Sequence, residues 1–471
     1  MDKIPKEQVI RRMQVENPWW VRPHTIAEGI ANLRPRAYFE LFMALLGTDE
    51  VRRAPLLLGP RRVGKTVLIH HAIGALLASG VEPRRLCYVS VDHPLYNGCS
   101  LEDLLADYNE AAGVDYRTEP CFVFFDEIQY LRDWEVHLKV LVDGAFPTRF
   151  TASGSAAAAL RMKSRESGAG RFTDFLLPPL TFSEYLTLLG VTDAIRLNDD
   201  RDSAIASNIA DLNERFLDYL NFGGYPEVAL SKVIQADPGR FVKSDIVDKV
   251  LLRDLPSLYG IEDIQELNQL FTTLAYNTAQ EVSLAELSKD SGVAKNTIKR
   301  YMQYLEAAFL IKTVHRIDQD AKQFQRANFF KVYLTNPSIR TALFAPIDEH
   351  DQAMGAMAET GIFSQWFHAP ESLYYARWKG GEVDLVHLNQ QQKPQWAVEV
   401  KWSDRYFERP EELKSLLAFC HKSKLERVVV TTRTIQAEKE VDGIPVEFIP
   451  ASVYCYLVGQ NRIQSQATRQ G

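Results

Sequence analysis

The sequence predicts an α/β protein with a parallel sheet in its first half and a further α/β region near its end. Three observations predict it. Residues 56–58, 122–125 and 150–152 are short, unbroken apolar runs, the pattern of parallel strands covered on both faces. The first run leads through a glycine-containing loop into an apolar-faced helix that opens on Val67-Leu68-Ile69. Far along the chain, residues 373–376, 382–386 and 396–401 read as strands, the first two joined by a turn at Gly380-Gly381.

The loop after the first run is Gly59-Pro60-Arg61-Arg62-Val63-Gly64-Lys65-Thr66, and Val67 follows it into the helix. A strand, a glycine loop and a helix in that order form a phosphate cradle. Gly59 and Gly64 let the backbone curl so that successive N–H groups face phosphate oxygens, and the helix N-terminus adds a favourable field. Lys65 is expected to reach the outer phosphates and the Thr66 hydroxyl to bind magnesium. The second run ends in Asp126-Glu127. Asp126 is expected to hold magnesium and Glu127 to polarise the attacking water. Gln129 either positions a neighbour or faces solvent. The third run ends in Ser153-Gly154-Ser155, where Ser153 either senses the terminal phosphate or simply forms a turn. Arg171 follows a stretch at 164–170. It either neutralises nucleotide charge, perhaps a neighbouring subunit's, or is a solvated surface arginine.

These residues resemble the AAA+ class of ATPases. The run Gly170-Arg171-Phe172, followed by Leu177-Pro178-Pro179-Leu180-Thr181-Phe182-Ser183-Glu184-Tyr185, narrows the resemblance. It is similar to a prokaryotic AAA+ family, of the AAA_14/DUF4143 kind, whose C-terminal domain has no assigned function. The resemblance spans about residues 35–430. It implies a homo-oligomeric ATPase using ATP and Mg²⁺, with Lys65, Thr66, Asp126, Glu127, Ser153 and Arg171 in the family's positions.

Composition sets bounds. A chain of 471 residues suits three or four domains. Its 46% apolar and 24% charged residues are those of an ordinary folded, soluble protein, and a net charge of −7 argues against a chain coated with basic residues. A local basic face stays open. The five cysteines show no zinc spacing and point to reduced thiols in a cytoplasm. The first residues, Met1 to Pro5, have no apolar core for secretion, and no stretch of about 18 apolar residues exists to span a membrane.

The middle of the chain is helix-rich. Gly223-Gly224-Tyr225-Pro226 is expected to reverse the chain sharply in a helical lid, with Pro226 starting the next helix. Ser283-Leu284-Ala285-Glu286 caps a short helix, a second helix covers 296–305, and strands follow at 309–311 and 329–334. This reads as a winged-helix unit. Lys295, Lys299 and Arg300 there either meet DNA phosphates or decorate a protein–protein connector.

A second polar set lies in the last region. Glu359 sits in a helix, Asp384 on one strand of a hairpin, and Glu399 and Lys401 on the next strand, where alternation points both to one side. Two carboxylates can hold a metal against a scissile phosphate, and a lysine beside them can orient water. Asp384, Glu399 and Lys401 are therefore the candidate catalytic residues, and Glu359, Asp384 and Glu399 the candidate metal ligands. The set resembles the restriction-endonuclease-like superfamily, which includes both active nucleases and inactive binding modules. The expected order is an opening segment (1–50) with Trp19-Trp20 in the core or at a partner, then a P-loop AAA+ ATPase core (51–190). A helical lid (191–280), a winged-helix domain (281–345), a restriction-endonuclease-like α/β domain (346–463) and a disordered tail (464–471) follow. ATP is the expected ligand and DNA a candidate partner, with a nucleotide-dependent protein-binding switch as the alternative function.

Overall fold

Five apolar runs make the first sheet. In the computed structural model, which describes residues 5–23, 25–26, 28–47, 52–154, 170–198, 203–321, 328–367 and 372–470, they are β1 (Ala54–Leu58), β2 (Leu86–Ser90), β3 (Phe122–Asp126), β4 (Arg149–Gly154) and β5 (Phe172–Leu176). All pairings are parallel, in the order β2-β3-β4-β1-β5. β1 is buried along its whole length, as a central parallel strand requires. Because β4 separates β1 from β3, the carboxyl ends of β1, β4 and β3 lie side by side. That end of an open α/β sheet is where ligands bind.

The chain divides at Pro178 into two compact units, residues 1–178 with 465–471, and residues 179–464. In the first unit the indole N–H groups of Trp19 and Trp20 both donate to the Leu86 carbonyl, at 2.9 and 2.7 Å, and both rings are buried. The tryptophans thus dock the opening segment onto β2.

The second unit takes in residues 179–190 as well as the three segments that the sequence separates at 191–280, 281–345 and 346–463. The reason is a shared core: Phe182, Phe216, Tyr219 and Leu220 are buried in one cluster with Ile362, Phe363, Leu385 and Val398. A two-stranded antiparallel sheet of β6 (Ile195–Leu197) and β7 (Ala204–Ala206) belongs to the same unit. The remaining strands are β8 (Glu281–Ser283), β9 (Ile311–Ile317), β10 (Phe329–Leu334), β11 (Leu373–Trp378), β12 (Gly381–Leu388), β13 (Pro394–Glu399), β14 (Val428–Thr432), β15 (Ala437–Val441) and β16 (Ile444–Pro450). They form one nine-stranded sheet, β15-β16-β14-β13-β12-β11-β9-β10-β8. The join between the expected third and fourth domains is the parallel pairing of β9 with β11, Tyr374 opposite His315.

Helices Ile264–Tyr276, Leu284–Ser291 and Lys295–Ala307 flank β8, with Ser283 capping the second through the Glu286 N–H. Pro226 opens its helix as expected. The last helix runs from Ala451 to Gln470, so residues 464–470 are helical and not the expected disordered tail. Its Gln, Arg and Ala residues are good helix formers that extend the buried part without needing a core of their own. Ser155 and residues 164–169 of the sequence reading lie outside the described residues. No helix among the described residues is long and apolar enough to cross a membrane.

Candidate functional sites

The loop after β1 is shaped by its glycines. A Cβ at Gly59 would run into the Leu177 carbonyl oxygen, and Gly64 caps the helix Lys65–Ala78 at φ 96°. Both positions exclude larger residues for steric reasons. Arg62 also takes a positive φ, 64°. Within the curl, the Lys65 ammonium donates to the carbonyls of Gly59 (3.1 Å) and Pro60 (2.9 Å) and is buried. Arg61 reaches the Tyr130 hydroxyl at 2.8 Å. Beneath the loop, the buried Arg36 donates to the carbonyls of Val63 (2.5 Å) and Pro178 (3.0 Å). Val63 is fully buried and Val67 continues the helix, so neither presents a polar side-chain group.

Asp126 ends β3 and is buried. Three hydroxyls donate to it: Thr66 to Oδ2 at 2.7 Å, Tyr88 to Oδ2 at 2.8 Å, and Ser153 to Oδ1. Burial pushes its carboxyl above the ordinary value, and the Glu127 charge adds to this. The hydroxyl contacts pull the other way and do not offset burial. Among the described residues no lysine or arginine pairs with Asp126. A buried carboxylate bound only to hydroxyls suits a cation. Thr66 donates its proton and keeps its lone pairs, so Thr66 and Asp126 fit a magnesium ion as its protein ligands.

Glu127 follows at φ 56°, with its N–H donating to Ser153 Oγ at 3.1 Å. Gln129 donates from Nε2 to a Glu127 carboxylate oxygen and is half-buried, so its side chain faces Glu127 rather than solvent. The structure thus gathers Lys65, Thr66, Asp126, Glu127 and Ser153 at one end of the sheet. Arg171 is not among them. It precedes β5, and Ala54, at the start of β1, pairs with Phe172 in parallel register. Arg171 therefore lies at the opposite end of the sheet, a strand length or roughly 15 Å from the loop. There it is half-exposed, with Nε 2.9 Å from Asp143 Oδ1. Tyr88 and Arg36 escaped the sequence reading, since a tyrosine in a strand and a lone arginine in a loop carry no motif.

In the second unit the four predicted residues converge. Lys401 Nζ lies 2.7 Å from Glu399 Oε1 and 3.4 Å from Asp384 Oδ2, and the Val400 N–H donates to Asp384 Oδ2 at 2.9 Å. A bulge makes this possible. Tyr374 faces Val386 and Ala376 faces Val383, so Asp384 and Leu385 together oppose the single residue Tyr375. The extra residue turns Asp384 toward the helix Met354–Ser364, which carries Glu359.

A further residue enters from β10. Lys331 is buried, and its ammonium lies 2.8 Å from Glu382, 3.0 Å from Glu359 and 3.4 Å from Asp384. Tyr333 donates its hydroxyl to Glu359 at 2.5 Å. Burial opposes the Lys331 charge, but Glu359, Tyr333, Asp384 and Glu382 outweigh it and hold the ammonium well above its usual range. Burial alone would raise Asp384; Lys331 and Lys401 reverse that and lower it. Glu399, buried and next to Asp384, is pushed up to about 8, and Glu359, by burial, to about 7. Among the described residues no three His, Cys, Asp or Glu side chains are grouped so as to hold a metal ion. A signal for Lys331 was present: it is the one charged residue in Phe-Phe-Lys-Val-Tyr-Leu, and a charge inside an apolar strand needs a partner.

The first unit's geometry, a phosphate loop with an acidic strand end two strands away, is that of a P-loop nucleotide hydrolase. The branch follows from sequence comparison. Residues 51–186 match the family described as "AAA domain", and residues 213–351 match a "Domain of unknown function (DUF8612)". The first unit carries an AAA domain, which supports nucleotide binding and hydrolysis. An uncharacterized protein of Haemophilus influenzae is 22% identical over 88% of this chain and 96% of its own. One of Methanocaldococcus jannaschii is 25% identical over 61% of this chain, which spans only 62% of that relative. Among solved structures, the Aeropyrum pernix ORC1 protein in complex with DNA aligns at TM-score 0.33 and 12% identity, covering 69% of this chain and 95% of its own. The replication initiator DnaA bound to AMPPCP and single-stranded DNA aligns at 0.29 and 13%, covering 59% and 91%.

Proposed function

We propose that the protein is a magnesium-dependent ATPase whose nucleotide state is coupled to a DNA-contacting second unit. The observation that carries the reading is Asp126, a buried carboxylate that three hydroxyls hold and that no ammonium or guanidinium among the described residues neutralises. Thr66 and Asp126 would hold the magnesium ion, which would supply positive charge to the phosphates. Lys65 leaves the Gly59 and Pro60 carbonyls to meet them, and the loop N–H groups around Arg61 to Lys65 cradle them. Glu127, steadied by Gln129, orients the attacking water and takes its proton. Ser153 links Asp126 to the backbone of Glu127, which lets one end of the site sense the other. Arg171, remote from its own loop, completes the site of a neighbouring copy in a homo-oligomer.

DNA contact is assigned to the helix Lys295–Ala307, read as the recognition helix of a winged-helix unit. Its Ile298, Tyr301, Met302 and Leu305 are buried, which leaves Lys295, Lys299 and Arg300 exposed on the other face for phosphates. A second reading, a nucleotide-dependent protein-binding switch with a silent nuclease-like domain, is favoured at one point. Lys331 already neutralises the carboxylates around Asp384.

Glu127→Gln should bind ATP as the parent does while phosphate release falls about 10²–10⁴-fold, the usual share of a general base. Lys65→Ala should lose nucleotide affinity instead. Calorimetry with phosphate-release kinetics separates the two, and undiminished turnover in Glu127→Gln removes Glu127 from its role. Metal-dependent cleavage of DNA by the parent, absent from Asp384→Ala and Lys401→Ala, would make the second unit a nuclease.

A further inference from the structure

We propose that the Lys331 ammonium takes the place a divalent cation would have among Glu359, Glu382 and Asp384, so that this centre binds no metal and instead ties β10 to β12 and to the helix Met354–Ser364. The proposal deepens the reading of a silent nuclease-like domain. It rests on four observations.

The first is stoichiometric. An ammonium has three N–H donors, and Lys331 Nζ meets three carboxylates, Glu382 at 2.8 Å, Glu359 at 3.0 Å and Asp384 at 3.4 Å. The second is saturation. Asp384 Oδ1 faces Lys331, while its Oδ2 takes both the Val400 N–H and Lys401. Glu359 meets Lys331 and Tyr333 through Oε1 alone. Glu399 Oε1 is held by Lys401, and its buried Oε2 has no hydrogen-bond partner among the described residues. Two open oxygens, on different carboxylates, fall short of the near-octahedral oxygen set that a magnesium or manganese ion demands.

The third is burial. Lys331 is 3% exposed, lies over the Tyr375 ring at 5.5 Å, and is flanked in β10 by the buried Phe330 and Val332. Its charge is therefore held inside the protein, among these carboxylates. The fourth is topology. β10 belongs to the strand group β8-β10-β9, which the sequence assigns to the winged-helix segment, and β9 continues that group into β11. The ion pairs therefore fasten the two segments through their buried charges as well as through the backbone ladder. The acid-acid-lysine pattern survives in this chain as a cross-brace.

The test is Mn²⁺ titration of the nucleotide-free full chain, with bound metal counted by electron paramagnetic resonance. The parent and Asp384→Asn should bind the same number of Mn²⁺ ions. Lys331→Met, which keeps the length and apolar stem, should gain one equivalent, and Lys331→Met with Asp384→Asn should lose it again. If the parent binds one ion more than Asp384→Asn, the centre is a metal site and the proposal fails. It fails too if folded Lys331→Met gains nothing. If Lys331→Met does not fold, the parent is compared with Asp384→Asn and with Glu359→Gln: equal binding supports the proposal and a lost equivalent overturns it. Metal counting is read apart from DNA cleavage, so a parent that cuts nothing yet binds a metal ion here refutes the cross-brace while leaving the silent-domain reading intact.

Discussion

Two buried aspartates, one in each unit, end up in opposite electrostatic states. Asp126 is surrounded by hydroxyls from Thr66, Tyr88 and Ser153 and titrates above the ordinary carboxylate value. Asp384 is surrounded by Lys331, Lys401 and a backbone N–H and titrates below it. Asp126 ends its strand and Asp384 lies within one, and each has a glutamate within two residues, Glu127 and Glu382. The difference lies in who supplies the positive charge. Hydroxyls stabilise a carboxylate partly and leave room for a metal, whereas two ammonium groups satisfy it outright. The two carboxylates thus differ in their partners, hydroxyls around Asp126 and ammonium groups around Asp384.

The strongest way to break that comparison is to neutralise each aspartate in turn. Asp384→Asn leaves two buried ammonium groups short of a partner and should destabilise the second unit by about 3–5 kcal/mol, the usual cost of halving a buried ion pair. Asp126→Asn removes a buried charge that has no ionic partner. The nucleotide-free first unit should then lose no more than about 1 kcal/mol, a typical hydrogen-bond difference, while magnesium-dependent ATP affinity collapses. Urea unfolding followed by hydrogen exchange of β3 and of β12 reads the two units separately. Equal losses in both would erase the distinction.

Arg36 sharpens the picture from beneath the phosphate loop. Its guanidinium holds the carbonyls of Val63 and Pro178 and is 5% exposed. Arg36→Met keeps the stem but abandons two carbonyls, at a cost of about 2–3 kcal/mol, the range for hydrogen bonds to a charged group. Because Val63 lies inside the loop, ATP affinity should fall together with thermal stability. A stable variant with normal affinity would show that the glycines alone hold the curl.

How much of this was legible depended on whether an interaction is local in sequence. Gly59 to Thr66 and Asp126-Glu127 are contiguous words whose chemistry follows from neighbours, and the structure gathers them as read. Asp384, Glu399 and Lys401 were also found, because strand alternation is a local rule. Lys331, which arrives from β10, and the bulge beside Asp384 were not legible, because alternation encodes neither. The segment limits failed to appear as breaks for the same reason: Phe216, Ile362 and Leu385 share a core that no local composition shift announces. Arg171 is matched to the family only by resemblance of its sequence context, and its distance from the loop follows from the parallel register of β1 and β5.

A further expected effect concerns acid. His70 packs against Tyr88 with tilted rings whose centroids are 4.6 Å apart, and its ring centroid lies 6.2 Å from that of Trp19. Burial, with a smaller contribution from His71, pushes its pKa down from 6.5 to about 4, and its Nδ1 has no hydrogen-bond partner among the described residues. Between those two values the unfolded chain holds a proton that the folded chain does not. The first unit should therefore lose stability as pH falls from 6.5 toward 4, by at most about 1.4 kcal/mol per pH unit from this one group. The second unit should respond in the opposite sense. Glu359 and Glu399, held up to about 7 and about 8, bind protons more tightly folded than unfolded, so that unit gains stability as pH falls from 8 toward 4.5. Asp384, held low, keeps its ion pairs across the whole window. Hydrogen exchange at pH 5 and pH 7, corrected for the intrinsic rate, should show β2 opening more readily at the lower pH and β12 less readily. His70→Phe retains the aromatic contact with Tyr88 and should flatten the response of β2 while leaving that of β12 untouched; an unchanged response in β2 would assign the acid sensitivity to some group other than His70.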